Sequence, residues 1–189
     1  HEKGLHINND HFMIISPDEG SMNRAIYLAN ILGVDMGMYY KRLDYSRYVN
    51  GRHPIAAYEF LGPKIEGKDM VLIDDMISSG DTIIKIASLL KEKGAGRVYI
   101  CSTFGFFTDG LDKFDDAYKK GYFDKLLTTN LVYQSPELLE KPYYISCDMS
   151  KYIAYIIDTL NHDASVSHLL NPVDRIKRCV TNYMSEHEK

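Results

Sequence analysis

Short apolar runs alternate along the chain with stretches in which apolar residues return every three to four positions. The run FMIIS at 12–16 is continuous, the pattern of a strand covered on both faces. Over 21–32, Ala25, Leu28, Ala29 and Leu32 fall on one helical face, and Gly33 stops it. Residues 35–40 read as a second strand. MVLI at 70–73 is the clearest strand, followed by a helix over 82–93 with Ile83, Ile86, Ala87 and Leu90 aligned and Gly94 behind it. A strand over 97–103, a weaker helix over 111–120 and short strands over 125–129 and 143–147 come next. Ile153, Ile156, Ile157 and Leu160 then align in a helix over 148–161. This alternation predicts the α/β class: a mostly parallel sheet flanked by helices on both faces.

Two stretches stand apart. Residues 43–56 (LDYSRYVNGRHPIA) are polar and aromatic, contain Asn50-Gly51, and read as a long loop or ribbon between strands. Residues 171–189 read as an appended C-terminal helix, with Asn171 as cap, Pro172 first, and Val173, Ile176, Val180 and Met184 on one face.

The 189 residues suit one domain. Lys and Arg number 22 against 26 Asp and Glu, which argues against a broad basic face for nucleic acid but leaves room for a local cationic pocket. Three scattered cysteines suit neither a disulfide framework nor a zinc cluster; they read as small buried apolar residues in a reduced, cytoplasmic setting. No apolar run approaches the ~20 residues of a membrane helix, so no membrane partner is expected. The seven histidines, His1 among them, show no ligand spacing.

The chemistry concentrates at strand ends. In VLIDDMISSGDT (71–82) a buried strand closes on Asp74 and Asp75, then passes through small and hydroxylated residues straight into a helix. The N–H groups of such a turn and helix start cradle an anion, and Ser78, Ser79 and Thr82 add hydroxyl donors around Gly80 and Asp81. The paired carboxylates suit sugar hydroxyls, or indirect contact with Mg²⁺. Together they fit a ribose 5-phosphate group. A second junction, ISPDEGS (15–21), places Asp18, Glu19, Gly20 and Ser21 at a helix start, where the acids either favour the dipole or ligate Mg²⁺ on a polyphosphate. Lys41 and Arg42, at the root of the long loop, either neutralise a transferring phosphoryl group or form a solvated loop root, the commoner place of a Lys-Arg pair. By contrast, the Gly-x-x-x-x-Gly-Lys spacing at 62–68 precedes a strand, contains Pro63 and is followed by Asp69, so it reads as a turn.

The 71–82 stretch resembles the phosphoribosyl diphosphate-binding signature shared by phosphoribosyltransferases and ribose-phosphate diphosphokinases. SPDEGSMNRA (16–25), Tyr40-Lys41-Arg42, LLTTN (126–130) and SVSHLL (165–170) resemble, in order, the diphosphokinase's diphosphate loop, catalytic-loop root, following strand and C-terminal segment. The resemblance implies a C-terminal half: residues 1–11 left from a missing N-terminal half, a phosphoribosyltransferase-like domain over 12–170, and the appended helix over 171–189. It implies an enzyme that moves diphosphate from ATP to C1 of ribose 5-phosphate with Mg²⁺, assembled as a homo-oligomer, and a fragment that turns over poorly alone. In that scheme Asp74 and Asp75 bind the ribose hydroxyls and residues 78–82 the 5-phosphate. Asp18 ligates Mg²⁺, Glu19, Gly20 and Ser21 line the diphosphate loop, and Lys41 with Arg42 are catalytic. Ser165 and Ser167 resemble positions near a regulatory phosphate site. Asp81 stands where that family often carries Gly, and a carboxylate there repels phosphate unless it points outward along the helix start. A phosphoribosyltransferase, or a non-catalytic regulatory subunit of the synthetase, are the alternatives.

Overall fold

A computed structural model describes residues 5–48, 51 and 53–187; His1 and Asn50 lie outside the described residues. The chain runs β1 (Phe12–Ser16), a single 3₁₀ turn (Glu19–Ser21), α1 (Met22–Leu32), β2 (Asp35–Leu43), β3 (Ile55–Leu61), β4 (Asp69–Ile77) and α2 (Asp81–Glu92). It continues through β5 (Val98–Gly105), α3 (Asp112–Lys119), β6 (Lys125–Thr129), α4 (Pro136–Leu139) and β7 (Tyr144–Cys147). It ends with α5 (Ser150–Asn161), α6 (Ser167–Leu170) and α7 (Val173–His187). The strands form one sheet in the order β3-β2-β1-β4-β5-β6-β7, parallel throughout except for the antiparallel β2–β3 pair.

Strand alternation explains the two helical layers. Phe12 and Ile14 point to one face with Ala25, Ala29 and Val34, where Val71 and Ile73 also pack. Their neighbours Met13 and Ile15 point to the other face, into a larger core with Met70, Leu72, Ile83, Ile86, Leu90 and Phe114. The central strands therefore carry unbroken apolar runs, Phe12 to Ile15 on β1 and Met70 to Ile73 on β4, as a sheet covered on both sides requires. Gly37 is needed on β2 because a Cβ there would stand 2.6 Å from the Phe60 ring.

The sheet's amino edge is fastened by charge. Asp69, which opens β4, accepts from the backbone N–H of Arg97 at 2.8 Å and from its Nε and Nη2 at 3.1 and 2.6 Å. Its side chain is 13% exposed. Removing it takes away the acceptor of the Arg97 backbone N–H and of one side of its guanidinium at the β4–β5 start, so Asp69→Ala is expected to lower stability by about 2 kcal/mol, read as the midpoint of urea unfolding.

The structure revises the sequence reading in places. The second strand runs to Leu43, three residues past Tyr40, because β3 pairs with it from Met38↔Leu61 to Leu43↔Ile55. The loop is thus the connection of a long antiparallel hairpin. Strand β3 and the short helices α4 and α6 are additional to the elements predicted. The α5 face predicted by spacing forms, but no α5 residue is buried, and Ile157 and Leu160 are 62% and 59% exposed. Cys101 and Cys147 are half-buried, whereas Cys179 on α7 is exposed, against the expectation of burial. The terminal helix starts as expected: Asn171 Oδ1 accepts the Val173 N–H at 3.1 Å, and the Pro172 carbonyl accepts from Ile176. It lies against α1, and the Tyr183 hydroxyl takes the Leu5 N–H at 3.1 Å. Among the described residues no helix is long and apolar enough to cross a membrane.

Candidate functional site

Strands β1 and β4 are neighbours, but the chain leaves β1 toward β2 on one side and β4 toward β5 on the other. The loops at their carboxyl ends diverge, and such a switch point opens a crevice. Here it is a cleft of about 360 Å³, walled by Asp18, Gly20 and Ser21 from the first loop and by residues 74–83 from the second.

The first loop is shaped by its own polar groups. The buried Ser16 hydroxyl donates to the Asp18 carbonyl at 2.6 Å, and Asp18 Oδ1 accepts the Gly20 N–H at 3.0 Å. Asp18 Oδ2 accepts from Lys41 Nζ at 2.9 Å, so the ends of β1 and β2 meet through an ion pair. Ser21, buried at the start of α1, donates across the crevice to Asp74 Oδ1 at 2.7 Å.

The two acids on β4 alternate faces and differ in acidity. Asp74 also accepts the Asp75 N–H at 2.9 Å. Burial pushes its carboxyl up, and the nearby Asp18 charge adds to that, against the hydrogen bonds from Ser21 and Asp75. Asp75 receives Arg24 Nη2 from α1 at 3.1 Å. Burial raises its carboxyl too, but the hydrogen bond with Asp74 and the Arg24 charge outweigh it, and Asp75 stays below the ordinary carboxylate range. One acid is therefore held firmly ionised beside another that pays for its position in hydration.

The β4–α2 loop turns at Gly80, whose φ of +86° is left-handed. A Cβ there would meet Phe114 Cζ at 2.2 Å, so the fully buried Phe114 ring of α3 is the floor of the loop. Gly80 gives α2 no side-chain cap, and the Asp81 N–H meets the Ser79 hydroxyl at 3.4 Å. The Ser78 and Thr108 hydroxyls stand 3.4 Å apart. The Ser79 hydroxyl donates to Asp81 Oδ2 at 3.0 Å. Asp81 Oδ1 accepts from Lys113 Nζ at 2.7 Å, and Lys113 also reaches Asp109 Oδ2 at 2.9 Å. The hydrogen bond from Lys113, then that from Ser79, holds the Asp81 carboxyl below its ordinary range.

A second cleft of about 340 Å³ adjoins the first and is lined by Asp18, Glu19, Gly20, Lys41 and Leu43. Asp18 and Gly20 form the common wall. The structure thus brings Asp18, Gly20, Ser21, Asp74, Asp75 and residues 78–82 into one cleft, and Glu19 and Lys41 into its neighbour. Arg42 lines neither. It alternates to the other face of β2, where its Nε donates to Glu59 Oε1 on β3 at 2.8 Å. Ser165, just before α6, and Ser167, its first residue, have hydroxyls 2.9 Å apart and line neither cleft. The segment 62–68 is a turn between β3 and β4.

Three contributors carried no signal in the sequence. Arg24 and Lys113 reach the loops from helices, and Thr108 from the β5–α3 turn; only the fold brings them there. Leu43 follows Lys41 at a strand's period of two, so recognising that β2 continues would have placed both on one face. Asp18 suits Mg²⁺, which commonly takes one or two carboxylates and completes its shell with water and phosphate oxygens. Among the described residues no group of three or more acids, histidines or cysteines is placed to cage a metal, so the residues fit that shared mode only.

A mostly parallel sheet with a hydroxyl-rich strand-to-helix loop at its switch point defines a phosphoribosyltransferase-like α/β domain. The chain belongs to the phosphoribosyl transferase domain family, whose sequence model matches residues 1–141. It is similar to the ribose-phosphate pyrophosphokinase of Vibrio parahaemolyticus, at 29% identity over 163 residues that cover 86% of this chain and 49% of that protein. The enzyme of the same name from Thermococcus kodakarensis is 30% identical over 121 residues, 64% of this chain and 39% of the relative. The phosphoribosylpyrophosphate synthetase of Mycobacterium smegmatis shares the fold, with a TM-score of 0.67 at 23% identity over 81% of this chain and 46% of that one. The chain spans about half the length of the relatives it matches.

Proposed function

We propose that this chain is the ribose 5-phosphate-binding half of a ribose-phosphate diphosphokinase. One observation carries the reading: the two clefts meet at Asp18 and Gly20, one ending in an anion loop beside paired acids, the other holding a lysine. The first has the donors for a sugar phosphate, and the second offers Lys41 to a polyphosphate and Asp18 to its Mg²⁺.

In this reading residues 78–82 hold the 5-phosphate through N–H groups and hydroxyls, and Asp74 and Asp75 accept from the ribose hydroxyls. The sugar's anomeric carbon then faces the shared wall. Glu19, Gly20 and Ser21 border the diphosphate of ATP, and Asp18 would be the carboxylate that holds Mg²⁺. Bound Mg²⁺ supplies charge neutralisation to the nucleotide's phosphates. The anomeric oxygen forms a bond to the β-phosphorus, the bond from that phosphorus to the α,β-bridging oxygen breaks, AMP leaves with that oxygen, and the hydroxyl proton is released. Lys41 Nζ, at the wall between the clefts, stabilises charge on the transferring oxygens, which is positioning plus electrostatics. Arg42 joins it only if its pairing with Glu59 opens. The C-terminal helix as an appendage, homo-oligomeric assembly, a cytoplasmic setting and a regulatory phosphate near Ser165 and Ser167 belong to the same reading.

The test is product analysis with the full-length protein. With ATP, Mg²⁺ and ribose 5-phosphate, AMP and 5-phosphoribosyl 1-diphosphate are expected in equal amounts. Diphosphate release from phosphoribosyl diphosphate and a nucleobase, without AMP formation from ATP, would instead identify a phosphoribosyltransferase.

A further inference from the structure

The loop that ends β4 carries a negative charge where the proposed ligand brings two. Asp81 is the first residue of α2, next to Gly80, and its backbone belongs to the anion loop itself. Its carboxylate also takes the hydroxyl of Ser79, one of the donors that a phosphate needs. Left alone, this side chain would repel a phosphate.

The fold supplies an answer from another element. Lys113 sits in the first turn of α3, directly before Phe114, the ring that supports Gly80. From there its Nζ reaches Asp81 at 2.7 Å and Asp109 at 2.9 Å. Asp109 thus anchors the ammonium from the far side, while Phe114 fixes the backbone that carries it. Asp81 and Lys113 are 68% and 40% exposed, so the pair contributes little to stability. Its consequence is local charge. With Lys113 present, the three groups sum to one negative charge; without it, two unpaired carboxylates flank the loop.

We infer that Lys113 is a positioning residue for phosphate capture: it draws the Asp81 carboxylate outward toward α3 and cancels its charge, so that the loop can admit a phosphate dianion. The inference rests on the ribose 5-phosphate reading of the cleft and adds to it a residue that does not touch the ligand. It also assigns Asp81 a conditional part, compatible with phosphate only while its partner holds it.

Titration of the full-length protein with ribose 5-phosphate by calorimetry tests this. Lys113→Met is expected to weaken binding about tenfold at low salt, the effect of one extra like charge near the phosphate in a partly solvated site. The loss should shrink as ionic strength rises from about 0.05 M to about 0.5 M, since the repulsion is screened. Lys113→Arg should keep most of the affinity. Asp81→Asn should bind at least as well as the wild type, and adding it to Lys113→Met should restore binding to the level of Asp81→Asn alone. A purely structural lysine would show neither the salt dependence nor that rescue. Lys119→Gln, on the same helix but away from the loop, should change nothing. If the wild type binds and Lys113→Met binds equally well, or if Asp81→Asn fails to rescue it, the inference is overturned while the site reading stands. A wild type that binds no ribose 5-phosphate overturns both.

Discussion

Gly80→Ala is expected to lower stability by about 3 kcal/mol and to abolish measurable phosphate binding. Two costs add. At φ +86° an alanine is strained by about 1 kcal/mol, since its Cβ crowds the following carbonyl. The new methyl must also displace Phe114, whose Cζ lies 2.2 Å from where it would sit. That ring is fully buried and packs edge-on against Phe107 with centroids 5.2 Å apart, so overpacking adds about 2 kcal/mol. For a chain of this size the sum corresponds to a fall in Tm of about 6–12 °C. Gly121→Ala is the matched control: its φ of +71° carries the backbone strain, but nothing lies within 4 Å of the added methyl. The difference between the two variants isolates the contact with Phe114. Shortening that ring with Phe114→Leu should recover part of the loss in Gly80→Ala. Equal Tm values for the two alanine variants would show that the ring does not support the loop.

This dependence on α3 marks the boundary of what the sequence displayed. The strand–loop–helix unit over 71–82 was legible because three local signals agree: an apolar run too continuous for a surface strand, small and hydroxylated residues after it, and helical spacing beyond. The crevice at the carboxyl ends was legible for the same reason at 15–21. What lay hidden is set by tertiary neighbours. Phe114 and Lys113 act on a loop more than thirty positions earlier, and no period in the chain connects them. Strand β3 was missed because IAAYEFL buries no residue fully and lies at the sheet edge, so its alternation is shallow. Missing it also hid why Lys41 and Arg42 part company: once β3 extends β2, adjacent residues must face opposite ways. The α5 stripe shows the converse, because spacing fixes which residues share a face but not whether anything covers them.

Asp74→Asn is expected to weaken ribose 5-phosphate binding by about a hundredfold while raising thermal stability. The carboxylate is half-buried, and burial raises its pKa; the charged form is therefore disfavoured by folding. The sign follows: a carboxyl raised in the folded state costs stability once pH exceeds its folded pKa, and the cost vanishes as pH falls below the unfolded value. Asparagine has the same shape, and its Oδ1 can still accept from the Ser21 hydroxyl and the Asp75 N–H, so the wall of the cleft is kept while the charge facing Asp18 is removed. Tm at neutral pH should accordingly rise, and the gain should fade toward acid. Binding moves the other way, because a charged acceptor strengthens a hydroxyl hydrogen bond and two such bonds lost together amount to about 3 kcal/mol. Wild-type affinity should also decline on acidification at a higher pH than an ordinary aspartate would give, as Asp74 takes up its proton. Asp75, held ionised beside Arg24, cannot produce that early decline. Calorimetric titrations across the acid range, set beside melting curves of both variants, separate the two effects. Asp74→Asn binding ribose 5-phosphate as tightly as the wild type would remove Asp74 from the sugar site, whatever its effect on Tm.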